Sequence, residues 1–371
     1  MERRDFIRIA AAGIAATSPV AASWAASTKN TRKIELFAHR GASALRPEHT
    51  LAAYAKAIAD GADFIEPDLV MTKDGVMVAR HEGLLTETTD VARRPEFAAR
   101  RVSKTIDGIT ETGWFVEDFT LAELKTLRAV ERLPAIRKDN TRYDGFFQVL
   151  TWDEIIDFAA TVEATTGKTI GLIPEIKHSS YFASIGLPME DAFLKSIDAH
   201  EYTRRCPLVI QSFEISNLKY IRSKIGKTPH IRLMQLIDDP KVRPGDVLAQ
   251  NGATSYMDML STSGLREIAR YADILSPNHR VYVPQDKSGK LLKPTRVIAD
   301  AKDAGLQTHS WTFRPENCFL ALDFRNDAGA NERNEKGSLA EMQFYMEAGV
   351  EGFFSDDSAL GRKAIQSFVA T

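Results

Sequence analysis

The sequence contains little cysteine: its 371 residues include only Cys206 and Cys318. Two thiols cannot hold a chain of this length in a disulfide scaffold, and two cysteines alone do not form a metal site. They could pair with each other, but the sequence does not place them in space. The fold must therefore depend on a packed core, for which 44% hydrophobic residues are sufficient.

An excess of positive charge is also missing. The formal net charge is −2, and basic residues are not gathered into one tract. This balance argues against nucleic acid and against an anionic membrane surface as partners. A phosphate-bearing small molecule remains possible as a substrate, because its binding needs only local positive charge. The oligomeric state cannot be predicted from these features.

No apolar run is long enough to cross a bilayer, which takes about 20 residues, so stable membrane insertion is not expected. The stretch that most resembles a membrane span is at the start of the chain. There Arg3 and Arg4 precede a short apolar stretch at 9–16 and a group of small residues. This pattern is typical of an export signal and resembles a twin-arginine signal. We expect residues 1–27 to be removed and residues 28–371 to form a periplasmic protein. An N-terminal membrane anchor is the alternative.

Nine segments have the composition of strands, and most are apolar at consecutive positions. Such runs favour strands that are buried on both faces of a parallel sheet. The nine segments are 34–39, 64–70, 76–81, 170–176, 207–213, 231–237, 273–278, 306–313 and 351–356. The helices expected between them lie at 51–60, 121–129, 151–167, 190–200, 214–224, 262–271, 294–304 and 338–348.

The chain between the second and third strand segments is too short for a parallel crossover, which needs about a dozen residues or more. Residues 76–81 are therefore predicted to return antiparallel to residues 64–70, after a turn at residues 73–75. The eight other strands, which alternate with helices, predict an α/β fold of the (β/α)8 or TIM barrel type. Residues 83–150 interrupt the alternation and are predicted to be an inserted subdomain after this hairpin.

In such a barrel, the active-site residues lie at the C-terminal ends of the strands. Glu66 and Asp68 are two residues apart and point to one face of a strand, and Glu175 ends another strand. Buried together, these carboxylates need neutralisation, and three oxygen donors suit a hard cation such as Ca²⁺ or Mg²⁺. The alternative is a salt-bridge network with Arg40 and Lys177.

Two histidines, His39 and His81, belong to neighbouring strand ends. Imidazoles on the two sides of a metal can serve as general base and general acid. Arg40 and Lys177 could then bind the phosphate of a diester substrate. A purely structural role for each histidine is the alternative.

Several motifs point together to one family. They are HRGAS…PEHT from residue 39, GADFIEPDLVMTKDGVMVARHE at 61–82, PEIK at 174–177, HSWTFR at 309–314 and GFFSDD at 352–357. With these motifs, the chain resembles the glycerophosphodiester phosphodiesterase family over nearly the whole mature length. In its insertion and exported start it resembles the periplasmic bacterial branch.

The resemblance implies hydrolysis of deacylated phospholipids, such as glycerophosphocholine or glycerophosphoethanolamine, to glycerol 3-phosphate and an alcohol. It implies an acid–base pair at His39 and His81, metal ligands at Glu66, Asp68 and Glu175, phosphate contacts at Arg40 and Lys177, and an apolar wall beside the glycerol at Trp311. One divalent cation is expected, with Ca²⁺ preferred to Mg²⁺. A cyclic phosphate is the expected intermediate.

Other polar residues receive simpler expectations. Glu48 occupies a family position to which we assign no functional role. The stabilising effect of a negative charge at the N-terminus of a helix would be enough to explain a glutamate there. We expect His49 to make a local cap contact, His178 to line the rim, and residues 131–138 to form a solvated face. Asp356 ends the last strand and has no predicted role.

Two other functions remain open at this point. A phospholipase acting on intact lipids would use the same chemistry but would need an exposed apolar rim, and none is evident within residues 83–150. A non-catalytic exported barrel that binds phosphodiesters would not need the acid–base residues, yet both histidines and all three carboxylates are present.

Overall fold

In the computed structural model, which describes residues 33–370, parallel strands close into a barrel. The strands are β1 (Glu35–Ala38), β2 (Phe64–Ile65), β3 (Asp68–Met71), β4 (Met77–Ala79), β5 (Val102–Ile106), β6 (Ile109–Gly113), β7 (Gly171–Leu172), β8 (Glu175–Ile176), β9 (Leu208–Ser212), β10 (Ile231–Ile237), β11 (Ile274–Pro277), β12 (Gln307–Phe313) and β13 (Gly352–Ser355). The predicted export signal, residues 1–27, lies outside the described residues and stays a prediction.

Helices alternate with the barrel strands. They are α1 (Leu51–Ala59), α2 (Leu121–Leu124), α3 (Trp152–Thr166), α4 (Ser179–Ser184), α5 (Glu190–Ala199), α6 (Ser216–Ile225), α7 (Gly245–Ala249), α8 (Tyr256–Met259), α9 (Thr262–Ile268), α10 (His279–Tyr282), α11 (Val297–Asp303), α12 (Glu335–Ala348) and α13 (Ser358–Ala370). Short 3₁₀ helices lie at Val91–Arg93, Pro95–Arg100, Val116–Asp118, Lys138–Tyr143, Asn317–Phe319 and Leu322–Phe324. Within the described range, no helix is both long and apolar enough to cross a bilayer.

The barrel has eight strand positions, as predicted. Its ring runs β1, β2, β7, β9, β10, β11, β12 and β13, and β13 pairs with β1 again; every pairing is parallel. Side chains alternate between the two faces, so that Phe37 joins a cluster of barrel-strand residues with Val209 and Met234, while Leu36 packs with Leu360 of α13. Burial on both faces explains the continuous apolar runs.

The third predicted strand returns antiparallel, as the short connection required. β3 and β4 pair with Leu69 opposite Ala79, and the amide of Arg80 donates to the carbonyl of Asp68 at 2.8 Å. This register places His81 beside the strand end that carries the first two carboxylates.

Two strands predicted as continuous, 64–70 and 170–176, are each broken in the middle. The breaks occur at Glu66-Pro67 and at Ile173-Pro174, giving β2 and β3 in the first case and β7 and β8 in the second. A proline has no amide hydrogen to donate to the ladder, although its carbonyl still accepts: the amide of Glu175 donates to Pro67 at 3.0 Å. The prediction of unbroken strands was therefore wrong in both places.

The helix signals were reliable where the sequence contained caps. The Thr50 side chain accepts from the amide of Ala53, and Thr151 and Glu154 form the predicted capping box. α3 ends at Gly167, which has a φ of 71°. The helix expected at 121–129 is shorter, and α4, α7, α8, α10 and α13 were not predicted.

The insertion at 83–150 contains a hairpin, β5 and β6, that the prediction missed. Its side chains are mostly exposed, so the apolar pattern that marked the other strands is weak. The Asp107-Gly108 turn, with φ of 51° and 83°, was the available signal. Apolar residues of the insertion, such as Leu85 and Phe119, join the main core, and the description of residues 83–150 as an inserted subdomain stays a prediction.

Cys206 and Cys318 do not form a disulfide bond with each other. Both lie in the described part of the chain as free thiols, Cys206 buried and Cys318 half-buried.

The chain needs glycine immediately after Arg40. Gly41 has a φ of 87°, and a Cβ placed on it would lie 2.7 Å from the backbone of Ala53. We predict that Gly41→Ala destabilises the protein by about 3 kcal/mol, from a left-handed backbone plus overpacking.

Gly75→Ala is the matched control for Gly41→Ala. Its φ is 78°, but apart from its two chain neighbours no described residue has an atom within 4 Å of the added Cβ. Only the backbone cost of about 1 kcal/mol should remain. Urea unfolding measures both variants, and equal losses of stability would contradict the close approach at Gly41.

Candidate active site

Three carboxylates meet where two barrel strands are broken. Glu66 follows β2, Asp68 begins β3 and Glu175 begins β8, and one oxygen from each lies within 4.8 Å of the others. All three side chains are buried. Burial, with repulsion from Asp68, raises the pKa of Glu66 well above its usual value and raises the pKa of Glu175 to about 8. The cluster therefore holds more negative charge than its surroundings easily stabilise.

Nearby donors offset only part of this charge. Lys177 Nζ lies 2.8 Å from Glu175 Oε2, and Arg40 Nε lies 3.7 Å from Asp68 Oδ2. The backbone amide of Arg40 donates to Glu66 Oε2 at 2.9 Å. The salt-bridge network considered from the sequence is thus present, but in it two cationic side chains face three carboxylates.

The fit to a metal ion can be judged from the oxygen atoms. Asp68 Oδ1 is buried and has no hydrogen-bond partner among residues 33–370. An unpartnered buried carboxylate oxygen is costly unless a cation lies beside it. Carboxylate oxygens are the donors that Ca²⁺ and Mg²⁺ prefer, so Glu66, Asp68 and Glu175 could hold a divalent cation.

The first predicted histidine is buried and held by a carboxylate. His39 follows β1, and its Nδ1 lies 2.5 Å from Asp356 Oδ1, while its Nε2 lies 3.4 Å from Thr312 Oγ1. Burial and the Arg40 charge lower the pKa of His39 to about 4. Burial alone would raise the pKa of Asp356, but Arg137 and His39 hold it well below its ordinary value. The imidazole is therefore neutral near pH 7.

The second predicted histidine has the same kind of partner. His81 Nδ1 lies 2.6 Å from Glu82 Oε2. The side chain is 35% exposed, yet its partial loss of water and the charges of Arg40 and Lys177 lower its pKa well below the ordinary value. Both imidazoles therefore have one nitrogen fixed by a carboxylate.

One cavity of about 930 Å³ connects these groups. All of the predicted site residues except Asp68 line it: His39, Arg40, Glu66, His81, Glu175, Lys177 and Trp311. Trp311 donates from Nε1 to the carbonyl of Ser276 at 3.1 Å and packs edge-on against Phe213, which fixes its ring. The structure thus brings the predicted residues together, while their roles stay predictions.

Two expectations were wrong, one about His49 and one about residues 131–138. His49 is not a local cap contact: with a φ of 54°, it places Nε2 3.0 Å from Asp68 Oδ2 and Nδ1 2.9 Å from the Tyr54 hydroxyl. Residues 131–138 do not form a solvated face, because Arg137 is only 8% exposed and Glu131 only 5%. In the second case the cause is tertiary packing, which local polarity does not reveal.

Two further residues lie close to where they were expected. His178 lines the cavity rim, where its Nδ1 lies 2.7 Å from Asp107 Oδ2 of the missed hairpin. Glu48 precedes α1 but does more than supply charge there: it accepts from Arg40 Nη1 at 3.1 Å and from Arg132 Nε at 2.8 Å.

A sequence model of the glycerophosphoryl diester phosphodiesterase family matches residues 39–360. Glycerophosphodiester phosphodiesterase GDPD6 of Arabidopsis thaliana is 34% identical, over 86% of this chain and 82% of that protein. A glycerophosphodiester phosphodiesterase of Haemophilus influenzae is 27% identical, over 93% and 96%.

A solved structure with the same fold is an Oleispira antarctica phosphodiesterase in complex with the product sn-glycerol-3-phosphate. Its TM-score is 0.56 at 18% identity, with 90% of this chain and 96% of that chain covered. Since a plant enzyme and a bacterial enzyme both match in sequence, these similarities do not single out a periplasmic bacterial branch.

The carboxylate cluster predicts stabilisation by divalent cations. Ca²⁺ or Mg²⁺ at one hundred times its dissociation constant should raise the free energy of unfolding by about 2.7 kcal/mol. Asp68→Asn should lose most of this gain, because it removes a charged oxygen donor. Asp303→Asn, at an exposed carboxylate of α11, is the control. Thermal unfolding at graded metal concentrations measures this, and an equal gain in Asp68→Asn would contradict the site.

Proposed function

The chain belongs to the glycerophosphoryl diester phosphodiesterase family, and we propose that it hydrolyses deacylated glycerophosphodiesters to glycerol 3-phosphate and an alcohol. It is a phosphoric diester hydrolase, as its relatives are. The observation that carries the proposal is the placement of His39 and His81, each held at Nδ1 by a carboxylate, around one cavity with the three-carboxylate cluster.

The preferred substrates are proposed to be small diesters such as glycerophosphocholine and glycerophosphoethanolamine. The cavity of about 930 Å³ has room for glycerol phosphate and a head group. The Oleispira phosphodiesterase holds sn-glycerol-3-phosphate, which supports the same product here. Intact lipids are the second candidate, but among the described residues only Ile109 and Val242 are large apolar side chains that both line the cavity and are exposed.

Glu66, Asp68 and Glu175 are proposed to hold one divalent cation, Ca²⁺ in preference to Mg²⁺. Mg²⁺ usually binds through one or two carboxylates and keeps several waters, whereas Ca²⁺ accepts six to eight oxygen ligands in a flexible geometry, so a cluster of three carboxylates favours Ca²⁺. When bound, the cation neutralises phosphate charge and favours the ionised form of a neighbouring hydroxyl.

The proposed first step is attack by the substrate on itself. One histidine takes the proton of the glycerol hydroxyl next to the phosphoester, and that oxygen forms a bond to phosphorus. The bond from phosphorus to the head-group oxygen breaks, and the other histidine, which has to enter this step as the imidazolium, gives its Nε2 proton to the departing alcohol. Binding of the anionic phosphodiester beside that ring favours its charged form. The product that stays bound is a cyclic phosphate.

The second step reverses the roles of the two imidazoles. The histidine that lost its proton takes one from water, the water oxygen bonds to phosphorus, and the ring oxygen leaves with the proton of the other histidine. Asp356 and Glu82 accept hydrogen bonds from Nδ1, which leaves Nε2 of each ring for these transfers. Arg40 and Lys177 are proposed to bind the phosphate oxygens, with Trp311 beside the glycerol.

We also propose that the protein acts in the periplasm, after export by the twin-arginine-type signal in residues 1–27. The support is the sequence pattern alone. Cell fractionation of the full chain and of an Arg3→Lys, Arg4→Lys double variant tests it, and equal amounts outside the cytoplasm would contradict it.

Loss of either imidazole should almost abolish turnover. His39→Gln and His81→Gln are each expected to lower kcat on glycerophosphocholine by about 10²–10⁴-fold, the usual contribution of general acid–base catalysis. A chelator should stop the wild-type reaction, and added cation should restore it. Release of glycerol 3-phosphate is the measurement, with His200→Gln, a half-buried residue at the end of α5, as control.

The attack by the substrate hydroxyl has its own test. A diester that lacks the glycerol hydroxyl next to the phosphoester should bind but not react, because it has no internal nucleophile. Turnover of that diester at a rate near that of glycerophosphocholine would instead show direct attack by water.

A further inference from the structure

The two histidines are held by the same three-residue arrangement. His39 contacts Asp356, and the other oxygen of Asp356 accepts from Arg137 Nη2. His81 contacts Glu82, and the other oxygen of Glu82 accepts from Arg132 Nη2 at 2.7 Å. In both cases a guanidinium holds the carboxylate that orients an imidazole.

Both arginines come from one short stretch of the insertion, residues 131–138. The stretch is fixed to the rest of the site by its own hydrogen bonds. Glu131 accepts from the amide of Leu133 at 2.8 Å and from Asn140 Nδ2 at 2.9 Å. Asn140 Nδ2 and Arg137 Nη1 donate to the carbonyl of Ser43, at 3.2 and 2.9 Å, in the loop after β1. This stretch of the insertion is therefore anchored beside the first barrel strand.

A direct role in binding substrate does not fit Arg137, and Arg132 is held mainly by carboxylates. Every nitrogen of the Arg137 guanidinium already donates: Nε to Glu316 at 2.8 Å, Nη1 to Ser43, and Nη2 to Asp356. Arg132 donates from Nε and Nη2 to both oxygens of Glu48, at 2.8 and 2.7 Å, in addition to Glu82. Both side chains are thus committed to carboxylates, although Arg132 also lines the cavity.

We propose that Arg132 and Arg137 are positioning residues of the acid–base pair, so that residues 131–138 of the insertion complete the active site. This inference rests on the proposed function. A carboxylate that carries a buried charge and orients a ring needs its second oxygen fixed, or it turns away from the imidazole. A planar guanidinium fixes that oxygen and offsets its charge at once.

The two arginines should differ in what their loss does. Arg137 acts on His39 through Asp356, so its loss should lower kcat with little change in KM. Arg132 also holds Glu48, which accepts from Arg40 Nη1 at 3.1 Å. Loss of Arg132 should therefore disturb the proposed phosphate contact as well, and KM should rise while kcat falls.

The kinetic test uses Arg137→Met and Arg132→Met with glycerophosphocholine. Each should lower kcat by about 10–100-fold, the usual cost of losing a partner that orients a site residue. KM should stay within about twofold in Arg137→Met and rise several-fold in Arg132→Met. Arg128→Met is the matched control, because Arg128 lies in the same insertion and donates to the carbonyls of Lys125, Thr126 and Leu127.

Rescue separates positioning from a loss of folding. Arg137→Ala should regain part of its kcat in added guanidinium ion, whose planar donors match the carboxylates, and Arg137→Lys should retain only part of it. Unchanged kcat in both methionine variants would overturn the proposal. So would a rise in KM alone, since that would mean substrate binding.

A spectroscopic readout keeps the inference independent of the substrate. The Nδ1 proton of His39, hydrogen-bonded to Asp356, should give a low-field proton resonance, assigned by its loss in His39→Gln. Arg137→Met should shift or broaden it, and Arg128→Met should not. If the wild-type protein hydrolyses no glycerophosphodiester, the proposed function fails. If the resonance does not move in Arg137→Met, the positioning role fails, whatever the substrate is.

Discussion

The structure depends on a buried cluster of negative charge. Glu66, Asp68 and Glu175 bring three carboxylates within 4.8 Å of one another, which is unfavourable in a protein interior unless positive charge is nearby. Lys177 and the backbone amide of Arg40 stabilise part of it, and the unpartnered oxygen of Asp68 shows where stabilisation is incomplete. A divalent cation is the simplest group that completes it, and a phosphodiester could then bind beside that cation.

The barrel and the insertion contribute different parts of the site. Breaks at Pro67 and Pro174 interrupt two strands next to Glu66 and Glu175, so the carboxylates lie where the hydrogen-bond ladder is interrupted. The amide of Arg40 donates to Glu66, and the glycine that follows lets the chain turn tightly against Ala53. The insertion adds no ligand to the cluster, but Arg132 and Arg137 hold the carboxylates behind the two imidazoles.

Much of the fold followed from local physics. The length of the connection to residues 76–81 excluded a parallel strand, and the cap at Thr151 located α3. The prolines at the strand breaks were visible in the sequence, but the continuous apolar pattern around them favoured unbroken strands. The Asp107-Gly108 turn was visible too, but the exposed strands beside it have only a weak apolar pattern. The site residues that could be predicted are those in motifs that lie at the C-terminal ends of strands. The contacts of Arg137 were not, because its partner Asp356 lies 219 residues away in the chain and only tertiary packing joins them.

The central claim is that the three carboxylates bind one cation between the two imidazoles. Anomalous diffraction from a crystal grown with Ca²⁺ and glycerol 3-phosphate tests it most directly. The account predicts one strong peak in contact with Glu66, Asp68 and Glu175, with the phosphate beside it and within reach of His39 and His81. A peak elsewhere, or an unchanged Lys177–Glu175 ion pair with no ion in the cluster, would contradict it.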